Sequence, residues 1–136
     1  MARTVTSRPT TSPRTVSRLY SVLIGLAALG IVLQAVWAGL FIRTGATEYN
    51  ETWVEVHARG ADITIVLAVL ALGAAIWRLR SRRDLLVGTA ALAVLLLVEA
   101  FVGGLIEDSQ LLEVIHFPLA LALLGLAVWL PLRSRR

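Results

Sequence analysis

The sequence contains no cysteine, which excludes structural disulfides, thiolate metal sites and redox thiols. Lysine is also missing: all 13 basic residues are arginine. Histidine occurs only twice, at His57 and His116. Scarcest of all is polar surface. The chain of 136 residues is 57% hydrophobic with a mean hydropathy of +0.78. A soluble domain of this size would have too little polar surface left to face water.

The apolar residues fall into four stretches, Leu19–Ile42, Ile63–Trp77, Leu85–Ile106 and Leu111–Leu130. About 20 mostly apolar residues cross roughly 30 Å of hydrocarbon as a helix. The first, third and fourth stretches meet that length. The second meets it when extended back to Val54, which draws His57, Arg59 and Asp62 into the helix. The expectation is an all-α integral membrane protein, a bundle of four transmembrane helices over residues 19–42, 54–78, 84–106 and 111–132.

The placement of charge orients the bundle. Arg3, Arg8, Arg14 and Arg18 precede the first span, Arg78, Arg80, Arg82 and Arg83 follow the second, and Arg133, Arg135 and Arg136 follow the fourth. The alternate loops hold Arg43 and Arg59 against Glu48, Glu51, Glu55, Asp62, Glu107, Asp108 and Glu113. By the positive-inside rule both termini and the middle loop are cytoplasmic. The pI near 11 is thus a topology signal and not a nucleic-acid footprint. Residues 1–17, rich in Thr, Ser, Arg and Pro, read as a disordered basic cytoplasmic tail. The apolar run after them is too long for a signal peptide and ends in no small-residue cleavage site, so it reads as a retained first helix. Arginine-only basicity suits a GC-rich bacterium, and the expected location is the bacterial plasma membrane.

The two halves of the chain resemble each other. "QAVWAGL" (Gln34–Leu40) ends the first span and "EAFVGGL" (Glu99–Leu105) ends the third. Each is followed by an acidic outer loop, a histidine and a span that leads to "WRLRSRR" or "WLPLRSRR". This pattern predicts two repeated helix hairpins related by a pseudo-twofold along the membrane normal.

The second and fourth helices then run in the same direction, with each histidine roughly 5–8 Å below the outer helix end. Placed diagonally in a bundle, two imidazoles at matching depth suit the two axial positions of a b-type haem. Gly60 and Ala61 follow His57 on its helix face, and Ala120 follows His116, leaving room for a flat macrocycle. Gly103 and Gly104, with Ala38 and Gly39, would relieve crowding from the other helices. Arg43 lies where propionates would emerge; Arg59 is a weaker candidate for that role. A different metal would need further ligands, with Glu55 and Glu113 nearest in sequence.

Glu99 lies within a span, where a carboxyl group is costly. It reads as a proton site, as a hydrogen-bond partner for the second nitrogen of a ligand histidine, or as a protonated carboxyl bonded to a neighbouring helix. Gln34 takes the matching place on the first helix. Pro118 sits in the first turn of the fourth helix, or else loosens the backbone around Glu113–Val114.

A Gln- or Glu-headed segment ending in small-Gly-Leu, then an outer loop, then a histidine entering the next helix, resembles one four-helix half of haem A synthase. It is also similar to small actinobacterial four-helix membrane proteins of unknown function with the same two-histidine layout. The likeness spans about residues 19–132 and implies His57 and His116 as axial ligands of haem. Haem A synthase fuses two such halves, so a comparable two-site arrangement here would require a homodimer. The synthase half places a glutamate three residues before a histidine followed directly by arginine. Here "EVHAR" has Glu55 two before His57 and Ala58 in between. Haem binding is therefore the expectation, and synthase chemistry is not.

The expected protein is a membrane cytochrome b holding one haem b near the extracytoplasmic face, with an unidentified redox partner. Two imidazole ligands leave no open coordination position, which favours electron transfer or haem handling over enzyme catalysis. Two alternatives belong to other classes: a small proton-coupled transporter using Glu99, and an accessory or structural membrane subunit.

Overall fold

A computed structural model describes residues 18–41, 51–106 and 109–135. They form four α-helices: α1 (Arg18–Phe41), α2 (Glu51–Arg78), α3 (Arg83–Gly104) and α4 (Gln110–Ser134). No strand occurs among the described residues. All four helices are long and apolar enough to cross a membrane. The expected tail (residues 1–17) and Arg43 lie outside the described residues.

The boundaries differ from expectation in ways the local sequence explains. Helix α2 begins earlier, with Glu51 in its first turn, where a carboxylate complements the N-terminal end of the helix dipole. Helix α3 stops at Gly104, and the next amide closes a tighter turn from Leu105 N to the Val102 carbonyl at 3.1 Å. Helix α4 is capped by Ser109, whose hydroxyl accepts from Leu111 N at 3.3 Å. Because α4 starts at Gln110, Pro118 lies inside the helix and not in its first turn, and α4 continues through both Pro118 and Pro131. The first-turn placement is thereby corrected. A proline at that depth removes the amide that would bond the Val114 carbonyl.

The helices form a ring in which α1 packs on α2 and α4, and α3 packs on α2 and α4. Helix α2 is therefore diagonal to α4, and α1 to α3. The buried positions of α2 are all small: Gly60, Thr64, Ala68, Ala71, Ala74 and Ala75. Between apolar helices, small residues allow close backbone approach and hence dispersion contact along the seam. Gly30 of α1 meets Thr64 here so closely that a Cβ on Gly30 would overlap the Thr64 hydroxyl. Thr64 satisfies that hydroxyl within its own helix by donating to the Gly60 carbonyl at 2.7 Å. The large apolar side chains face outward instead, among them Leu29, Ile63, Val66, Val87, Phe101 and Leu121.

One end of the bundle is closed. Tyr20, Ile24, Leu85, Leu92, Leu123 and Leu130 are essentially inaccessible. The Tyr20 hydroxyl reaches across to Thr89 at 2.8 Å, joining diagonal helices α1 and α3. At the helix ends Asp84 pairs with Arg133 at 2.7 Å and with Arg82 at 3.2 Å, and Arg82 also donates to the Arg133 carbonyl at 3.2 Å. The opposite end is looser. Over residues 32–41, 51–63, 97–104 and 110–122, the buried residues are Gly60, Glu99 and Val102. Both histidines lie in that looser end.

Candidate functional site

His57 and His116 each occupy the seventh position of their helix. That places both imidazoles about 9 Å along the axis from the helix start. Helices α2 and α4 are diagonal, so the two residues stand on opposite walls of the bundle. Both are half-buried.

His116 is held from α3. Its ring lies against the backbone of Gly103, where a Cβ would come within 3.0 Å of Cε1 and 3.5 Å of Nδ1. Glycine is what allows this close approach. Nδ1 faces the Glu99 carboxyl, with Oε1 at 3.1 Å. The distance suits a pair but the angles do not: Glu99 Oε1, Glu99 Oε2 and His116 Nδ1 all remain buried without a hydrogen bond. Unsatisfied buried polar groups cost about 1–3 kcal/mol each. Three in one place mark a spot whose polar chemistry is incomplete in the bare chain.

His57 is held from α1. Its Nδ1 lies 3.2 Å from the Gln34 main-chain carbonyl, and the Phe41 ring meets the imidazole edge-on at 5.4 Å between centroids. The Gln34 side chain is best placed with its amide nitrogen toward His57, 3.0 Å from the carbonyl oxygen and 3.0 Å from Nδ1. Its oxygen then accepts from Ala61 N at 2.9 Å. Nδ1 of His57 thus has a choice. As a donor it bonds the Gln34 carbonyl; as an acceptor it takes a proton from the Gln34 amide.

In both hairpins Nδ1 turns toward the residue that heads the matching segment, Gln34 or Glu99. Among the described residues neither Nε2 has a hydrogen-bond partner. A histidine anchored through Nδ1–H presents the Nε2 lone pair, which is the usual arrangement of a metal-ligating imidazole.

Compared with known proteins, the chain matches no family model, no curated protein and no solved structure. What the site can do rests on its own geometry.

The other residues expected at the site divide. Glu99 and Gly103 meet His116 directly. Gly60 is buried, but a Cβ there would overlap the Trp37 ring and come within 2.7 Å of the end of the Gln34 amide. The room that Gly60 leaves is taken by the indole and is not open. Ala61 and Ala120 are half-buried, with Ala61 engaged through its amide to Gln34. Gly104 is exposed and a Cβ there would touch nothing. Arg59 is turned outward and pairs with Glu55 at 2.7 Å. Glu113 is exposed. No group of three or more His, Asp or Glu side chains suited to a metal ion occurs among the described residues. Neither Glu55 nor Glu113 therefore completes a non-haem metal site with the histidines.

Trp37 and Phe41 were not anticipated as neighbours of the site. A rotational cue for Trp37 exists in the α2 run Gly60, Thr64, Ala68, Ala71, Ala75. That run marks the seam against α1, and Gly60 at its head is the one position able to admit an indole.

Proposed function

We propose that the chain is a membrane b-type cytochrome that holds one haem between His57 and His116, for electron transfer or haem handling. The supporting observation is the pair itself: two half-buried imidazoles at equal depth on diagonal helices, each with Nδ1 turned toward the residue that heads the matching segment and, among the described residues, with no hydrogen bond at Nε2. The donor set is compatible with the group. His57 and His116, as two neutral imidazoles, would hold a haem iron without a third protein ligand. The loosely packed end of the bundle and the unpaired polar atoms of Glu99 and His116 lie where such a group would be held.

When bound, the haem would supply one-electron redox chemistry. The residues do the rest. Gly103 gives the His116 ring its place, while Gln34 and Glu99 set the direction of the two imidazoles. The closed end, with Tyr20–Thr89 and Asp84–Arg133, ties α1, α3 and α4 together. The recurrence of the same contact in both hairpins supports a duplicated hairpin, with the histidine end extracytoplasmic and the arginine end cytoplasmic. A plasma-membrane location, an unidentified redox partner and a homodimer belong to this same reading.

The transporter alternative relies on Glu99 facing a substrate path. The 3.1 Å approach of Glu99 to His116 within the bundle supports the haem reading over that alternative.

The test is the absorption spectrum of detergent-purified protein supplied with haem, oxidised and then dithionite-reduced. The expected result is a sharp Soret band with resolved α and β bands on reduction, lost in His57→Ala and in His116→Ala. Protein that stays colourless with excess haem would overturn the proposal.

A further inference from the structure

Charge at the closed end of the bundle is only partly balanced. Asp84 is the sole acidic residue in residues 1–18, 78–85 and 131–136, and its carboxylate is already shared by Arg82 and Arg133. Arg18, Arg78, Arg80, Arg83 and Arg135 have no carboxylate partner among the described residues. Two of these five are nevertheless held in defined positions. The Arg78 guanidinium lies over the Trp77 ring, 4.0 Å from its centroid, in a cation–π contact. Arg80 donates from Nε to the Ile76 carbonyl at 2.9 Å, one of the carbonyls that the last turn of α2 leaves open. Both arginines are exposed, so Arg80 keeps its terminal nitrogens for a further acceptor.

The surroundings say what that acceptor is. Trp77 is 66% exposed and Ile76 48% exposed, and Val66, Val69, Leu70 and Gly73 continue the same outward apolar face along α2. A Cβ on Gly73 would meet nothing. With 28 residues, α2 is about 42 Å long, against roughly 30 Å of hydrocarbon and about 40–45 Å of whole bilayer. Its last turn therefore emerges among the lipid headgroups, the level that tryptophan favours and the level of the phosphates. We propose that Trp77, Arg78 and Arg80 form a docking site for the phosphate of an anionic phospholipid, whose acyl chains lie along the outward face of α2. The planar donors of arginine match phosphate oxygens. A zwitterionic lipid brings its own cation to arginines that have no carboxylate to offset it, so the site selects for net negative charge. The proposal requires the arginine end to lie at a bilayer surface and is independent of haem.

The experiment is fluorescence quenching of the full chain in vesicles of equimolar phosphatidylglycerol and phosphatidylcholine. Trp37, Trp53 and Trp129 are replaced by Phe, so that emission reports Trp77 alone. Bromine is carried on the acyl chains of one lipid or of the other, which leaves the surface charge the same in both samples. Brominated phosphatidylglycerol should quench Trp77 more strongly, with an apparent preference of about fivefold or more, since each arginine at an anionic surface contributes about that factor. Arg78→Gln together with Arg80→Gln should bring the two lipids close to parity. Arg18→Gln together with Arg135→Gln removes the same charge from α1 and α4 and should keep most of the preference. Circular dichroism, and quenching by brominated phosphatidylcholine at the parent level, identify variants that fold and insert. Parity in the parent chain would overturn the proposal. Equal losses in the two double variants would also overturn it, because the preference would then belong to the field of the whole arginine end. Quenching by neither lipid would place Trp77 outside the bilayer and overturn the membrane reading of this end together with the site.

Discussion

The His116 ring rests directly on the backbone of Gly103, with only 3.0 Å between Cε1 and the point where a Cβ would stand. An imidazole on α4 is thus positioned by the side chain that α3 lacks. Gly103→Ala would add a methyl group that pushes the ring by a few tenths of an ångström. It would also gain up to about 1 kcal/mol in helix propensity. The expected outcome is an unfolding midpoint close to the parent together with shifted His116 ring resonances. Unchanged resonances would show that the two residues do not touch.

A second prediction concerns the seam between α1 and α2. Gly60→Ala places a methyl group on the Trp37 ring and against the Gln34 amide, and overpacking of this kind costs about 1–3 kcal/mol. With Trp53, Trp77 and Trp129 replaced by Phe, the emission of Trp37 should shift as the indole is driven from its slot. An emission maximum identical to that of the same background with Gly60 intact would contradict the packing.

At the closed end, Tyr20→Phe removes the 2.8 Å bond to Thr89. Thr89 keeps its bond to the Leu85 carbonyl at 2.6 Å, so no donor is stranded on that side. The expected loss is about 0.6 kcal/mol, typical of side-chain hydrogen bonds between membrane helices. It would be read from unfolding in mixed micelles; a loss of several kcal/mol would mean that the hydroxyl carries more than this contact.

Asp84 joins the ends of α3 and α4 through Arg133, with side-chain exposures of 28% and 44%. Ion pairs as open as this contribute at most about 1 kcal/mol and are screened by salt. Asp84→Asn should lower the melting temperature by a few degrees at low ionic strength, with the difference narrowing in 1 M salt. A salt-independent deficit would assign the effect to Asp84's packing and not to its charge.

Orientation can be read chemically because the chain has no cysteine of its own. In right-side-out vesicles an impermeant maleimide should label Thr52→Cys at once, and Ser81→Cys only after permeabilisation. The reverse pattern would invert the proposed topology.

Much of this fold was legible because length and charge position survive the loss of every finer signal. Apolar run lengths located the four helices to within a few residues, and the arginines identified the ends that lie together. Equal depth of His57 and His116 followed from counting along two helices running the same way. Rotation was the hard part. When lipid-facing and core-facing residues are both apolar, the face of a helix that turns inward leaves little periodic trace. For that reason the indole filling the space at Gly60, the outward turn of Gly104 and the Tyr20–Thr89 bond were not foreseen. For Pro118 the sequence left two placements open, and the start of α4 at Gln110 decides for the one inside the helix, beside Val114.

The uneven packing of the bundle has a consequence for motion. Tyr20, Thr89, Asp84 and Arg133 tie the helices at one end, whereas the histidine end has few buried side chains to hold it. Regions with few buried contacts open at lower free energy than the rest of a fold. The molecule is therefore built like a pair of tweezers, with its joint at the arginine end. In native-state hydrogen exchange the described residues around His57 and His116 should therefore open at lower free energy than those around Tyr20 and Thr89.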